Sequence, residues 1–299
     1  MRIFQEVDPP RRQAQLKINK LAHWYTWSDE FLNFFYALSG KIDAIDAPLH
    51  IRVLGGKEYD DTYTVDLTSI QKDKSLAGQL TLYARDLFEL EVSNQLMLLT
   101  DLLGHPSRGL SLHLLFACLR AAIISITGDP LSALSQPLGR GQRTGTEFPL
   151  HADLYVPQIL FNVFEDVPDD RSGASIFLPV SLLKDLLLRI KSIPQKDRAK
   201  IIHYVTEIHD EDFYEETYDL LHGDHEWSEE LARLMQAQRS RIKLYSGQGY
   251  VVNDRRWLHG REAPSGRITK RRFHRLVFNN REAQRVRNGM RHSAPPSQS

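Results

Sequence analysis

The chain has 299 residues, 41% of them hydrophobic and 25% charged, and its 38 basic and 38 acidic side chains cancel to a formal charge of zero. That balance suits a soluble globular protein with a sizeable core and excludes a disordered chain. No run approaches the ~18 apolar residues of a membrane span, and one cysteine, Cys118, can make neither an internal disulfide nor a cysteine-pair zinc site.

The N-terminal text MRIFQEVDPPRRQAQLK lacks a charged-then-apolar signal layout, so the expected location is the reducing cytoplasm, with Cys118 a buried small hydrophobe. WSDEFLNFFYALSGKI predicts an amphipathic helix that Ser28 can cap and Gly40 can end. LHIRVLGG and DDTYTVDLTSI read as short strands. Residues 75–129 read as helical in two pieces, LAGQLTLYARDLFELEVSNQLMLLTDLL and LSLHLLFACLRAAIISITG, broken at GHPSRG. LSALSQPLGRGQRTGTEF, rich in Gly, Ser, Thr and Pro, reads as a loop. LHADLYV, QILFNVFED and SIFLPV then predict short strands. Residues 181–240 return to helical periodicity, RIKLYSG, GYVVND and FHRLVFN are strand-like, and residues 285–299 form a polar, flexible tail. There is no internal repeat. Strands on both sides of a helical insert imply one domain, mixed α/β, with a β core and helices around it.

The zero net charge hides an asymmetry. Residues 206–230 carry eleven acids and no Lys or Arg, whereas residues 255–299 carry twelve Lys or Arg against two acids. Two solvated patches are the simplest reading. A basic end facing an anionic ligand is the sharper one. The basic end has no nucleic-acid-binding module and few interleaved aromatics, so nucleic acid is not an expected partner.

Two segments carry chemistry. In FPLHADLYVPQ, strand alternation would place His151 and Asp153 on one face, with Tyr155 sharing their parity. In GYVVNDRRWLHGREAPSGRITKRRFHRLVFN, His259 follows Asp153 by 106 residues, and Arg275 follows His259 by sixteen. Two imidazoles and one carboxylate can take one face of an iron(II) octahedron, leaving two positions suited to chelation by a 2-oxo acid and one to dioxygen. The far carboxylate of such an acid needs a fixed cation, and the guanidinium fork meets it with two parallel hydrogen bonds. Phe273, Arg275 and Val277 would share one strand face, placing that charge among apolar neighbours, with His274 on the other side. HDED and HGDHE, holding His209, His222 and His225, also resemble a metal site, although an acidic helical face more often meets solvent.

HAD, then SGAS, then NDRRWLHGREA running into RRFHRLVF together resemble the iron(II)/2-oxoglutarate-dependent oxygenases of the taurine dioxygenase, γ-butyrobetaine hydroxylase and clavaminate synthase-like superfamily. The resemblance covers residues 145–180 and 245–280. It implies a double-stranded β-helix, a jelly-roll or cupin-type barrel. On that expectation the core strands lie in 145–180 and 241–280 and residues 1–130 pack on the barrel, while 181–240, by its placement between core strands, is a helical insert expected to act as a lid. It implies His151, Asp153 and His259 as iron ligands, Arg275 as the residue gripping the distal carboxylate of 2-oxoglutarate, and Ser175 as its support. Arg271 and Arg272 are neighbouring alternatives to Arg275, and Asn253-Asp254 reverses the family's usual order. Asp153 stands where related halogenases carry a small residue, which implies hydroxylation or a related oxidation. Tyr155, Arg140 and Arg143 are candidate pocket residues. The implied substrate is small and amino-acid-like, with a peptide, carrier-bound or protein side chain as the alternative. A non-catalytic β-barrel module that binds a metal or small acid is the alternative of another class.

Overall fold

Side chains that alternate sides along the strands sort the molecule into layers. The computed structural model describes residues 2–11, 20–42, 44–45, 49–52, 58–61, 64–65, 70, 72–90, 95–103, 111–129, 132–138, 147–153, 159–167, 173–206, 213–265 and 272–279. Among these lie fifteen strands and seven helices. The larger sheet runs β1 (Phe4–Val7), β2 (Ala22–Trp27), β7 (Leu96–Leu99), β13 (Gly249–Asn253), β10 (Ile159–Asp166), β15 (Arg272–Phe278), β8 (Ala133–Leu138). All its neighbours are antiparallel except β2 and β7. The smaller sheet runs β12 (Ser240–Ile242), β11 (Ser175–Pro179), β14 (Trp257–Arg261), β9 (Phe148–His151). Two ribbons pair β3 (Ala44–Ile45) with β6 (Thr64–Val65) and β4 (Leu49–Arg52) with β5 (Glu58–Asp61).

Three apolar clusters follow from the period of two. Leu160 and Phe164 of β10, Val277 of β15 and Tyr250 and Val252 of β13 meet Phe177, Ile242 and Trp257 of the smaller sheet, so the two sheets share one interior. On the other face of the larger sheet, Ile159, Phe161, Leu276 and Phe278 pack against helices α1 (Asp29–Ser39), α2 (Lys74–Glu89) and α3 (Leu112–Thr127). On the other face of the smaller sheet, Leu150, Ile176, Leu178 and Leu258 pack against α4 (Val180–Arg189), α5 (Gln195–Thr206), α6 (Phe213–His222) and α7 (Ser228–Gln238). The described part of the insert is therefore a packed helical layer. The mixed α/β class expected from the sequence is the one observed.

Local chemistry explains several elements. The Ser28 hydroxyl accepts from the Phe31 N–H at 3.1 Å and so caps α1, as its sequence predicts. Ser111 caps α3 in the same way, and Gly128 ends it in the left-handed conformation at φ 66°. Cys118 is buried in α3, and burial pushes its thiol up to about 12. No helix among the described residues is long and apolar enough to cross a membrane.

Two sequence expectations change. LMLL, read inside a helix, is strand β7, buried at every residue and hydrogen-bonded on both sides. A strand covered on both faces loses its period-two signal and looks like any apolar run. ALSQPL, read as loop, is the edge strand β8, where Pro137 is tolerated because one side needs no ladder donor. The expected flexible tail, 285–299, lies outside the described residues.

Candidate metal centre

The centre assembles at one end of the smaller sheet's inner face. His259 lies mid-strand on β14, directly opposite Phe177 of β11 and His151 of β9. Strand pairing of β9 stops at His151, shorter than the expected LHADLYV strand. The alternation nonetheless runs one step on: Ala152 joins the outer apolar cluster, and Asp153 returns to the inner side. His151 Nε2 lies 3.2 Å from Asp153 Oδ1, and His259 Nε2 lies 3.7 Å from Asp153 Oδ2. The imidazole centroids are 4.4 Å apart. One ligand atom from each residue falls within 4.8 Å of the others, and this is the metal-competent group of His, Cys, Asp and Glu among the described residues.

Both imidazoles are held by their far nitrogens. His151 Nδ1 donates to the Pro149 carbonyl at 2.8 Å, which turns Nε2 toward Asp153. His259 Nδ1 lies 3.1 Å from the Asp254 carboxylate, itself fully buried. Such outer partners fix tautomer and ring orientation in metal-binding histidines. The donor set, neutral nitrogen plus carboxylate, fits a divalent first-row metal.

Electrostatics agree with the geometry. Burial opposes the charge on Asp153, but His151, His259 and Arg275 outweigh it and hold the carboxyl far below the usual range. Burial likewise opposes the charged form of His151, yet Asp153, the Pro149 carbonyl and Asp254 together raise its pKa. Burial raises Asp254 despite its histidine partner.

A β-bulge shapes the rim. Between His259↔His151 and Arg261↔Phe148 the register shifts. A side chain on Gly260 would begin 2.6 Å from the Phe148 carbonyl oxygen and 2.8 Å from that of Pro149. The glycine of LHGR is thus required by the close approach of β9. The bulge brings the half-exposed Phe148 ring to 4.2 Å from the His151 ring.

Opposite, the larger sheet supplies Arg275. It shares the inner face of β15 with Phe273 and Val277, as its sequence predicts, and His274 faces α3, edge-on to Phe116 and His113. Arg275 Nε donates to Asn162 Oδ1 at 2.9 Å, and Nη1 lies 3.4 Å from Asp153 Oδ2. Ser175 is buried, paired with Arg261 across the strands, and no hydrogen bond joins it to Arg275. Arg272 is exposed and lies 3.9 Å from Asp166, away from the centre. Tyr155, Arg140, Arg143 and Arg271 lie outside the described residues.

Sequence reasoning missed Asn162, Asp254 and Phe148. The available signals were a lone polar residue inside ILFNVF and a carboxylate five residues before His259. Of the second histidine group, His222 bonds the Leu150 carbonyl at 2.7 Å and His225 stacks on Trp227 next to Asp219, so both have structural partners; His209 lies outside the described residues.

No protein-family model and no curated protein matches this chain. Solved structures do. PvcB of Pseudomonas aeruginosa is 16% identical, over 69% of this chain and 81% of that one, with a TM-score of 0.38; another structure of PvcB is described as an Fe, alpha-ketoglutarate dependent oxygenase from an isonitrile synthetic pathway. An asparagine oxygenase in complex with Fe(II), 2S,3S-3-hydroxyasparagine and succinate is 14% identical, over 87% and 95%, with a TM-score of 0.43. The non-heme iron oxygenase OrfP, as a mutant with (3S)-hydroxy-L-Arg, is 9% identical, over 89% and 96%, with a TM-score of 0.44. Likenesses at this level carry no functional weight by themselves.

Proposed function

We propose that His151, Asp153 and His259 hold iron(II) and that the chain is a 2-oxoglutarate-dependent oxygenase acting on a C–H bond of a small, amino-acid-like substrate. The observation that carries this reading is the convergence of two locked imidazoles, each presenting Nε2, on one carboxylate, with a guanidinium alongside. When bound, iron(II) with 2-oxoglutarate and dioxygen supplies the oxidising power for hydroxylation, with decarboxylation of 2-oxoglutarate to succinate.

The chain's own residues orient and exclude. His151 and His259 present lone pairs whose direction is set by Pro149 and Asp254. Asp153 stays ionised across the physiological range because its contacts with His151, His259 and Arg275 outweigh the cost of its burial. Arg275 offers a charged fork from a buried face to an anion's distal carboxylate. Ser175, on the inner face of the smaller sheet, is the proposed support for that carboxylate, by resemblance. The apolar interior between the sheets keeps bulk water from the reacting side. The two sheets sharing that interior are proposed as the halves of a double-stranded β-helix.

The test is turnover with a mass balance. Protein purified anaerobically, loaded with iron(II) and given 2-oxoglutarate, oxygen and an amino-acid pool, is expected to form succinate and one product heavier by an oxygen atom. Asp153→Ala is expected to form neither. Absence of succinate from the wild type, together with unchanged metal binding in Asp153→Ala, would overturn the reading.

A further inference from the structure

We propose that Asn162 is a positioning residue for the anion-binding arginine, and that its remaining amide N–H donates to the carboxylate that Arg275 receives. The inference rests on the oxygenase reading and names a residue that the ligand motifs do not contain.

Asn162 is fully buried on central strand β10, on the inner face, between Leu160 and Phe164. It is the one polar residue in ILFNVF. Across the ladder it pairs with Arg275. Its orientation is decided by chemistry: arginine only donates, so the carboxamide oxygen must face Nε, and the bond is 2.9 Å. Nδ2, the remaining amide atom, is buried and has no hydrogen-bond partner among the described residues. Buried amide donors are nearly always paired, and an unpaired one is costly. An acid bound by the adjacent fork would satisfy it.

The choice of side chain has a reason. An apolar residue would leave Nε unpaired and the guanidinium free to turn. An aspartate would hold the guanidinium but cancel the charge an anion needs. The amide fixes Arg275 as a neutral acceptor and adds no second negative charge to the one that Asp153 places 3.4 Å from Nη1. Held at Nε, the fork points toward the metal cluster, with Nη1 3.4 Å from Asp153.

The experiment is calorimetric titration of the full-length, manganese-loaded protein with 2-oxoglutarate in the absence of oxygen. It is run for the wild type, Asn162→Leu, Asn162→Asp and Arg275→Lys. The expected result is an unchanged metal dissociation constant and a 2-oxoglutarate dissociation constant raised about 10- to 100-fold in both Asn162 variants. Asn162→Asp is expected to show the larger loss. Combined with Arg275→Lys, Asn162→Leu should add less than its separate effect, because the two side chains act as a unit. If Asn162→Leu does not fold, the isosteric Asn162→Asp decides alone. Wild-type binding with variant constants within twofold overturns this inference and leaves the oxygenase reading standing. A wild type that binds metal but no 2-oxoglutarate overturns both.

Discussion

The two faces of the four-stranded sheet differ by a single residue step and by everything else. On β14, Leu258 points outward into an apolar cluster covered by four helices, whereas Trp257, His259 and Arg261 point inward. On β11, Ile176 and Leu178 go out and Ser175 and Phe177 go in. On β9, Leu150 goes out and His151 goes in. One face is bound by dispersion and dehydration alone. The other gathers polar groups that are expensive to bury and keeps them because they meet one another. The outer side thus serves packing against the helices, whereas the inner side serves both packing between the sheets and chemistry.

That division can be broken experimentally. The largest effect belongs to Asp153→Ala on the inner side: metal content after reconstitution should fall from stoichiometric to background. Leu258→Ala, one residue from a ligand but on the other face, should do the reverse. It should cost about 2–5 kcal/mol in chemical unfolding, with metal affinity of the folded fraction within twofold of wild type. Loss of metal from Leu258→Ala at full folding would erase the distinction between the faces.

Gly260→Ala sharpens the comparison, because it strikes the backbone both faces share. Its new methyl meets two carbonyl oxygens, and the expected cost is about 1–3 kcal/mol in thermal unfolding, accompanied by weaker metal binding as the bulge shifts. Asp254→Asn keeps the shape and removes the charge behind His259. Metal affinity should drop about 10- to 100-fold with the melting temperature nearly unchanged.

Acidity gives the smallest and most graded effect. In the metal-free protein, His151 has a raised pKa, so its pairing with Asp153 contributes fully below the unfolded value of about 6.5 and is lost as pH rises through the higher folded value. The depressed Asp153 contributes above about 3.9 and is lost as pH falls through its lower folded value. Metal needs the neutral imidazole, so protons compete with it. Affinity should weaken by roughly tenfold per pH unit for each proton displaced once pH drops below the His151 value, as a binding isotherm at several pH values would show.

Much of this arrangement was legible in the residues. The class, the capped first helix, the strands of QILFNVFED and FHRLVF, and the proximity of His151 to Asp153 all follow from periodicity and polar placement. What was hidden has physical causes. LMLL carries no alternation because both of its faces are buried. ALSQPL looks like loop because an edge strand can carry proline. Asn162 and Asp254 act through pairings 113 residues and five residues away respectively, and only the folded ladder and turn show that the first meets Arg275 and the second meets His259.

The bulge opposite Gly260 has an implication for how length can vary in this chain. Because side chains on β14 switch sides at every step, adding one residue within the strand before His259 would turn the imidazole into the helical layer and bring a leucine to the centre, and deleting one would bring Gly260 there. A change of two residues would restore the side but move the ring along the sheet by a full repeat. The number of residues within β14 is therefore fixed by the pairing that sets His259 opposite His151 and Phe177.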